Sequence, residues 1–345
     1  VKCLQTQKEE LSANLLILGD PMSSRFAEIG VLMLLTLIIA PNAFSTEMEP
    51  TKASEVKVER DDMKLTRTND LGQFFDVCGH RTAVLGREGA ESEIWIYPFK
   101  ALYDLRFGFT CNGETVSSEF CRKSFTISPE ASFVEYETPD FRVVQTILAP
   151  LDESAAVMRF DVRSEHEVQI TASFISDLKL MWPADYDRKV KNSQDEQTGQ
   201  WTITVDDSKH VVIAGWTENQ TSAVKDGVIS TKCTVSPKEK SQVVTFIVAG
   251  SVDGSDDARK VFNKVSIEFD KMLERTADYY RKLDQNSTRI ETPDPLLDEA
   301  FSWAKVGIDK CFMSSPGMGS GFVAGYAQSG DGGRNGFGWY FGRDS

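Results

Sequence analysis

Between about Met63 and Val252 the chain repeats one pattern, short runs of β-branched and aromatic residues separated by polar clusters. Ser92-Glu-Ile-Trp-Ile-Tyr, Phe141-Arg-Val-Val-Gln-Thr-Ile-Leu, Ala156-Val-Met-Arg-Phe-Asp-Val, Trp201-Thr-Ile-Thr-Val and Val243-Val-Thr-Phe-Ile-Val-Ala are such runs. Pro139-Asp140 and Asp206-Asp207-Ser208 punctuate them. Side chains of these types suit a pleated, half-buried surface, and turn-forming clusters at such spacing end strands. Strands and helices do not alternate here, which excludes a doubly wound nucleotide-binding fold. The pattern predicts a mostly β chain built on a large antiparallel β-sandwich over residues 63–253.

The period then changes from two to about 3.6. Val261, Val265, Phe269, Met272, Thr276, Tyr279 and Leu283 follow in steps of four and three. They mark one face of a long amphipathic helix within residues 254–290, with Ser255 and Asp256 in capping position. After the breaks Asn286-Ser-Thr and Glu291-Thr-Pro-Asp-Pro, a second helix is expected from Pro295. Leu297, Phe301, Ala304, Ile308 and Phe312 share one of its faces, and it should end near Ser314-Ser-Pro-Gly. The stretch from Ser315 to Ser345 is rich in glycine and aromatics. It follows a helix rather than a strand and has no Gly-Lys-Ser/Thr, so a phosphate-cradling loop is excluded.

The net charge of −14 repels phosphate backbones, and no basic run offsets it, so nucleic acid is not an expected partner. Near the N-terminus an apolar run from Ile29 to Ala40 follows Arg25 and precedes the small-x-small site Ala43-Phe-Ser45. A bilayer span takes roughly 20 residues, and this run is shorter. Residues 22–45 therefore read as a signal peptide cleaved before Thr46, with a retained anchor as the alternative; residues 1–21 lie upstream of the plausible start, and 46–62 read as a linker. A secreted or periplasmic protein without stable membrane insertion is expected. Cleavage would leave Cys78, Cys111, Cys121, Cys233 and Cys311. Cys111 and Cys121 flank the turn dipeptide Asn112-Gly113, so a bridge between them and a set of buried unpaired thiols are both open readings. With no C-x-x-C, no metal-ligand spacing around His80, His166 or His210, and a cluster at Asp253 that falls short of a calcium loop, neither a metal nor a cofactor is expected.

The final stretch carries two motifs, Gly321-Phe-Val-Ala-Gly-Tyr and Gly336-Phe-Gly-Trp-Tyr-Phe-Gly-Arg-Asp-Ser. Upstream stand Gly79-His-Arg-Thr-Ala-Val-Leu-Gly-Arg-Glu-Gly and Glu93-Ile-Trp-Ile-Tyr-Pro-Phe-Lys. In this order, from about Asp70 onward, the chain resembles bacterial six-hairpin glycosidases of the glucoamylase and amylo-α-1,6-glucosidase (glycogen debranching) group. The resemblance implies a β-supersandwich, a linker helix and, over residues 291–345, the start of a truncated (α/α)6 barrel. It implies that Arg343 and Asp344 hydrogen-bond the hydroxyls of an α-glucan or oligosaccharide, and that Trp339 or Tyr340 stacks on a sugar ring. Such a ligand has apolar ring faces and a polar rim, which aromatic and bidentate groups match. Glycoside cleavage by inversion needs a carboxylic acid and a carboxylate base roughly 6.5–9.5 Å apart. The resemblance assigns both to barrel loops beyond Ser345, so the chain alone is expected to be inactive and the reading frame to continue for several hundred residues. The alternative is a non-catalytic carbohydrate-binding or structural sandwich using exposed Trp95, Trp182, Trp201 or Trp216, although strand tryptophans are mostly buried.

Overall fold

The computed structural model describes residues 63–68, 72–180, 189–206, 208–236 and 241–323, with the backbone of the strand Lys57–Glu59. The expected signal peptide and the residues before it lie outside these ranges. Two large antiparallel sheets dominate, as the strand pattern predicted. The ten-stranded sheet runs Lys57–Glu59, Lys64–Arg67, Arg122–Ile127, Ser132–Glu137, Phe141–Leu148, Ala155–Ser164, Gln242–Ser251, Val211–Trp216, Trp201–Val205, Val190–Gln194. The smaller sheet runs Gln220–Lys225, Val228–Val235, Val168–Leu180, Phe99–Cys111, Ser92–Ile96, Thr82–Arg87, Phe74–Cys78, and Glu114–Ser117 pairs onto Phe99–Cys111.

Alternation along the strands builds the core between the sheets. In the larger sheet Phe141, Val143, Met158, Phe160, Val162 and Phe246 point inward. They meet Ile94, Ile96, Phe107, Phe109, Ile170 and Phe174 of the smaller one. Phe160 packs on Trp216 at 5.6 Å and Phe107 on Phe160 at 5.0 Å, offset geometries that aromatic rings favour. At one end of the sandwich Glu88, fully buried, holds two guanidinium groups, Arg67 at 2.9 Å and Arg122 at 3.3 Å. A buried carboxylate is tolerable only with such partners.

The period change at residue 254 is real, but the single long helix is two. Helix α1 is the short turn Ser118–Cys121; α2 spans Ser255–Ile267 and α3 Phe269–Asn286. The break falls at Glu268 (φ −103°, ψ 18°), between Val265 and Phe269, which are both buried against the outer face of the larger sheet. Sheet packing sets the direction there, not the uninterrupted 3.6 period. The N-cap is Gly254 rather than Ser255 or Asp256, at φ 111°, a conformation that favours glycine. Helix α4, Pro295–Lys310, starts as expected: Pro295 opens it and the Asp294 carboxylate accepts a hydrogen bond from Leu296 N. It ends earlier than expected, at Lys310, because Phe312–Ser315 leaves the helix to pair with Gly319–Phe322. Its predicted apolar face is not its packed face either. Leu297 and Ile308 are 52% and 63% exposed, and α4 docks instead through Val306 and Lys310.

The Cys111–Cys121 bridge is not formed. The Asn112-Gly113 turn sets Cys111 opposite Glu114, and Cys121 lies beyond the end of the returning strand, in α1. Both thiols are free and buried, and Cys121 donates toward the carbonyls of Ser117 and Ser118. Burial pushes the Cys121 thiol up to about 11, which keeps it protonated and poorly nucleophilic. The reading left open beside it, buried unpaired thiols, describes these two residues.

Removing the Glu88 carboxylate takes away the buried ion pairs to Arg67 and Arg122. Glu88→Ala is expected to cost roughly 3–5 kcal/mol in urea or guanidinium unfolding, whereas exposed Glu114→Ala should stay within about 0.5 kcal/mol. Equal unfolding midpoints for the two variants would contradict this role.

Candidate functional site

The outer face of the smaller sheet is the surface on which the described residues up to Val323 pack. Every residue of Ser92–Ile96 is buried, so this sheet is covered on both faces. Its inner face meets the other sheet. On its outer face Cys78, Ala83, Leu85, Trp95 and Tyr97 form a separate cluster with Met313 and Val323, and Cys311 packs against it. Trp95 is 1% exposed and its indole N–H donates to Glu93 at 2.9 Å.

Residues 310–314 run beside residues 76–80. Lys310 Nζ reaches the Asp76 carboxylate at 2.9 Å and its carbonyl at 3.3 Å, and Ser314 N donates to His80 O at 2.6 Å. Val323 N donates to Cys311 O at 2.9 Å and closes the small hairpin. The first residues of the Gly321-Phe-Val-Ala-Gly-Tyr motif are thus pinned to the sandwich, with Val323 buried. Burial opposes the charge on Lys310, but Asp76, together with Cys78 and Glu130, outweighs it and raises the ammonium above its ordinary value. Burial, with Asp76 adding repulsion, pushes the Cys78 thiol well up.

His80 forms the joint between the sandwich turn and the helices. Its Nδ1 lies 3.3 Å from Asp152, which Arg275 of α3 also binds at 2.5 Å. The rings of Tyr279 and Phe312 stand edge-on to the imidazole at 5.6 and 5.4 Å. Tyr279 Oη donates to Asp309 at 2.7 Å. Burial and this carboxylate push the Tyr279 phenol up, so it stays a donor. Asp76, Asp152 and Asp309 are each engaged by a neighbouring chain segment, which makes this a positioning network rather than a free acid and base. Sequence reading set His80 aside. Its partners lie 72 and 199 or more residues away, and no spacing signals them.

The predicted sugar contacts Trp339, Tyr340, Arg343 and Asp344 lie outside the described residues, as does Trp182. The other strand tryptophans are core residues: Trp216 is fully buried with its N–H on Thr231 Oγ1 at 2.9 Å, and Trp201 is 7% exposed. Neither is a platform for a sugar. Among the described residues no group of three or more His, Cys, Asp or Glu is placed to hold a metal ion, and no helix is long and apolar enough to cross a membrane.

These elements define the class: a two-sheet antiparallel sandwich with a helical extension packed along its outer faces. No family model matches the sequence, and no curated protein matches it either. Among solved structures, one described as a kojibiose phosphorylase from the human microbiome superposes with a TM-score of 0.55 at 8% identity, covering 76% of this chain and 43% of its own. A bacterial glucoamylase solved with acarbose gives a TM-score of 0.46 at 6% identity, covering 74% and 43%. The chain spans under half the length of either. The first likeness is one of fold.

Lys310 makes the seam testable by pH. A raised folded-state value means that its contribution is complete below the ordinary lysine value of about 10.4 and is lost as pH rises through the raised value. Lys310→Met should therefore lower stability by roughly 1–3 kcal/mol at pH 7–9, with the gap to the parent protein closing above about pH 10.4. A gap that is constant across this range, measured by urea unfolding, would remove the Lys310–Asp76 bond from the account of the seam.

Proposed function

We propose that the chain is part of a carbohydrate-active protein that cleaves an α-linked glucoside outside the cytoplasm, with the sandwich as a brace and Trp339–Asp344 as one wall of the sugar pocket. The observation that carries this reading is the anchored hairpin. The described part of the motif-bearing segment runs to Val323, which is fixed by the Cys311 carbonyl and packs in the Trp95 and Tyr97 cluster. A pocket that must hold a sugar within fractions of an ångström needs such a rigid base. The sandwich likeness to a protein described as a kojibiose phosphorylase supports a carbohydrate ligand. Arg343 and Asp344 would take sugar hydroxyls, and Trp339 or Tyr340 would face the ring. The acid and base of an inverting reaction are assigned to further loops of the barrel, since the carboxylates of the seam are already committed.

Trp339 offers a direct reading. Trp95, Trp201 and Trp216 are buried and shielded from an added ligand. Maltotriose should change the emission of Trp339, and the response should vanish in Trp339→Phe. Arg343→Ala should weaken the apparent affinity by about tenfold or more, the loss of a charge-assisted hydrogen bond. Unchanged emission in the parent protein, or equal affinity in Arg343→Ala, would reject the pocket.

A further inference from the structure

The outer face of the larger sheet changes character at the start of α3. Beneath α2 and α3 it is apolar, with Leu148, Val157 and Ile247 buried. Beyond Phe269 it opens into a groove of about 420 Å³. Ligand sites run from roughly 300 to 1,000 Å³. Strand register sets the floor in rows: Thr146 faces Arg159, Val144 faces Asp161, and Arg142 faces Arg163. The first turns of α3 form one wall.

Two guanidinium groups directly opposite each other on neighbouring strands destabilise a sheet unless something occupies them. Arg142 is held by Glu135 at 2.6 Å. Arg159 lies over the Phe269 ring at 4.9 Å and pairs with Asp270 at 2.5 Å, which turns its planar group into part of the wall. Arg163 is exposed and has no hydrogen bond or ion pair among the described residues, and neither has the Thr146 hydroxyl. Between Arg159 and Arg163 on the same strand stands the Asp161 carboxylate, touched by the Ser241 hydroxyl. A donor fork, a hydroxyl and a carboxylate therefore surround the apolar patch of Val144.

We infer that this groove binds a short neutral oligosaccharide. A sugar ring has an apolar face for Val144 and a rim of hydroxyls that both donate and accept, which Arg163, Thr146 and Asp161 complement. The lining carries three guanidinium groups and two carboxylates in a chain of net charge −14, so it presents nearly balanced charge where a polyanion would meet repulsion from the rest of the surface. Four charged side chains on its floor, beside the apolar Phe133 and Val144, contrast with the charge-depleted core of a protein interface. The groove would hold a glucan chain on residues other than Trp339–Asp344. The inference rests on the carbohydrate reading, which it extends to a second surface.

The test is calorimetric titration of the full chain with maltohexaose, paired with hydrogen–deuterium exchange. Binding is expected, with slowed exchange over residues 142–146 and 159–163. Arg163→Ala should raise Kd about tenfold. Thr146→Val, isosteric and safe for the fold, should raise it several-fold, and circular dichroism confirms that both variants are folded. Unaltered affinity in both variants, or protection confined to residues 321–345, overturns the groove and leaves the proposed pocket standing. Groove protection that persists in Asp344→Asn, with none over 336–345, keeps the groove and rejects the pocket. Absence of heat and of protection overturns the groove.

Discussion

A strand buried at every position needs cover on both sides, and Ser92–Ile96 is such a strand. Its inward residues Ile94 and Ile96 belong to the core between the sheets, whose burial supplies most of the driving force for folding. Its outward Trp95, with the adjacent Tyr97, needs a second cover, and the described residues that contribute to it include Met313, Val323 and Cys311 from the small hairpin and Lys100, whose Nζ lies 5.7 Å from the centre of the Trp95 ring. The hairpin can reach that position only because α2 and α3 carry the chain over the outer face of the larger sheet and α4 returns it to the edge strand Phe74–Cys78. The helical segment is thus not an appendage. It completes a sheet that would otherwise expose two large aromatic side chains.

Polar contacts fix the register of this cover. Apolar packing alone tolerates sliding, whereas Lys310 on Asp76 and Ser314 on His80 specify one alignment of residues 310–314 with 76–80. His80 adds direction. Its ring is held by Asp152 and bracketed by Tyr279 and Phe312, so a single imidazole touches the sandwich, α3 and the hairpin. A side chain placed in this way serves positioning, which is the demand that a sugar pocket makes on its supporting residues.

The strands were legible in the sequence because period-two alternation and turn clusters act locally, and the helices because their apolar positions recur every three or four residues. What failed was decided at a distance. Glu268 interrupts a regular helical pattern because Val265 and Phe269 both pack on the sheet. Cys111 and Cys121 flank a turn dipeptide in sequence, yet hairpin register pairs Cys111 with Glu114 and carries Cys121 into the next element. The α4 stripe of Leu297 and Ile308 has ideal spacing, but docking goes through Val306 and Lys310. Register also hides the groove: Arg142 and Arg163 stand 21 positions apart and meet only because Phe141–Leu148 and Ala155–Ser164 pair as they do. The proposed sugar contacts rest on a resemblance carried by Gly336–Ser345, which lies outside the described residues, and these end at Val323.

We propose that the chain following the pinned hairpin brings Trp339–Asp344 to a sugar. A crystal structure of the chain with bound maltotriose tests it most directly. The expected result is a glucose ring against Trp339 or Tyr340, with Arg343 and Asp344 within hydrogen-bond distance of its hydroxyls and the hairpin seated on Trp95. Residues 339–345 folded into a closed, fully packed core with no cleft beside them would contradict it.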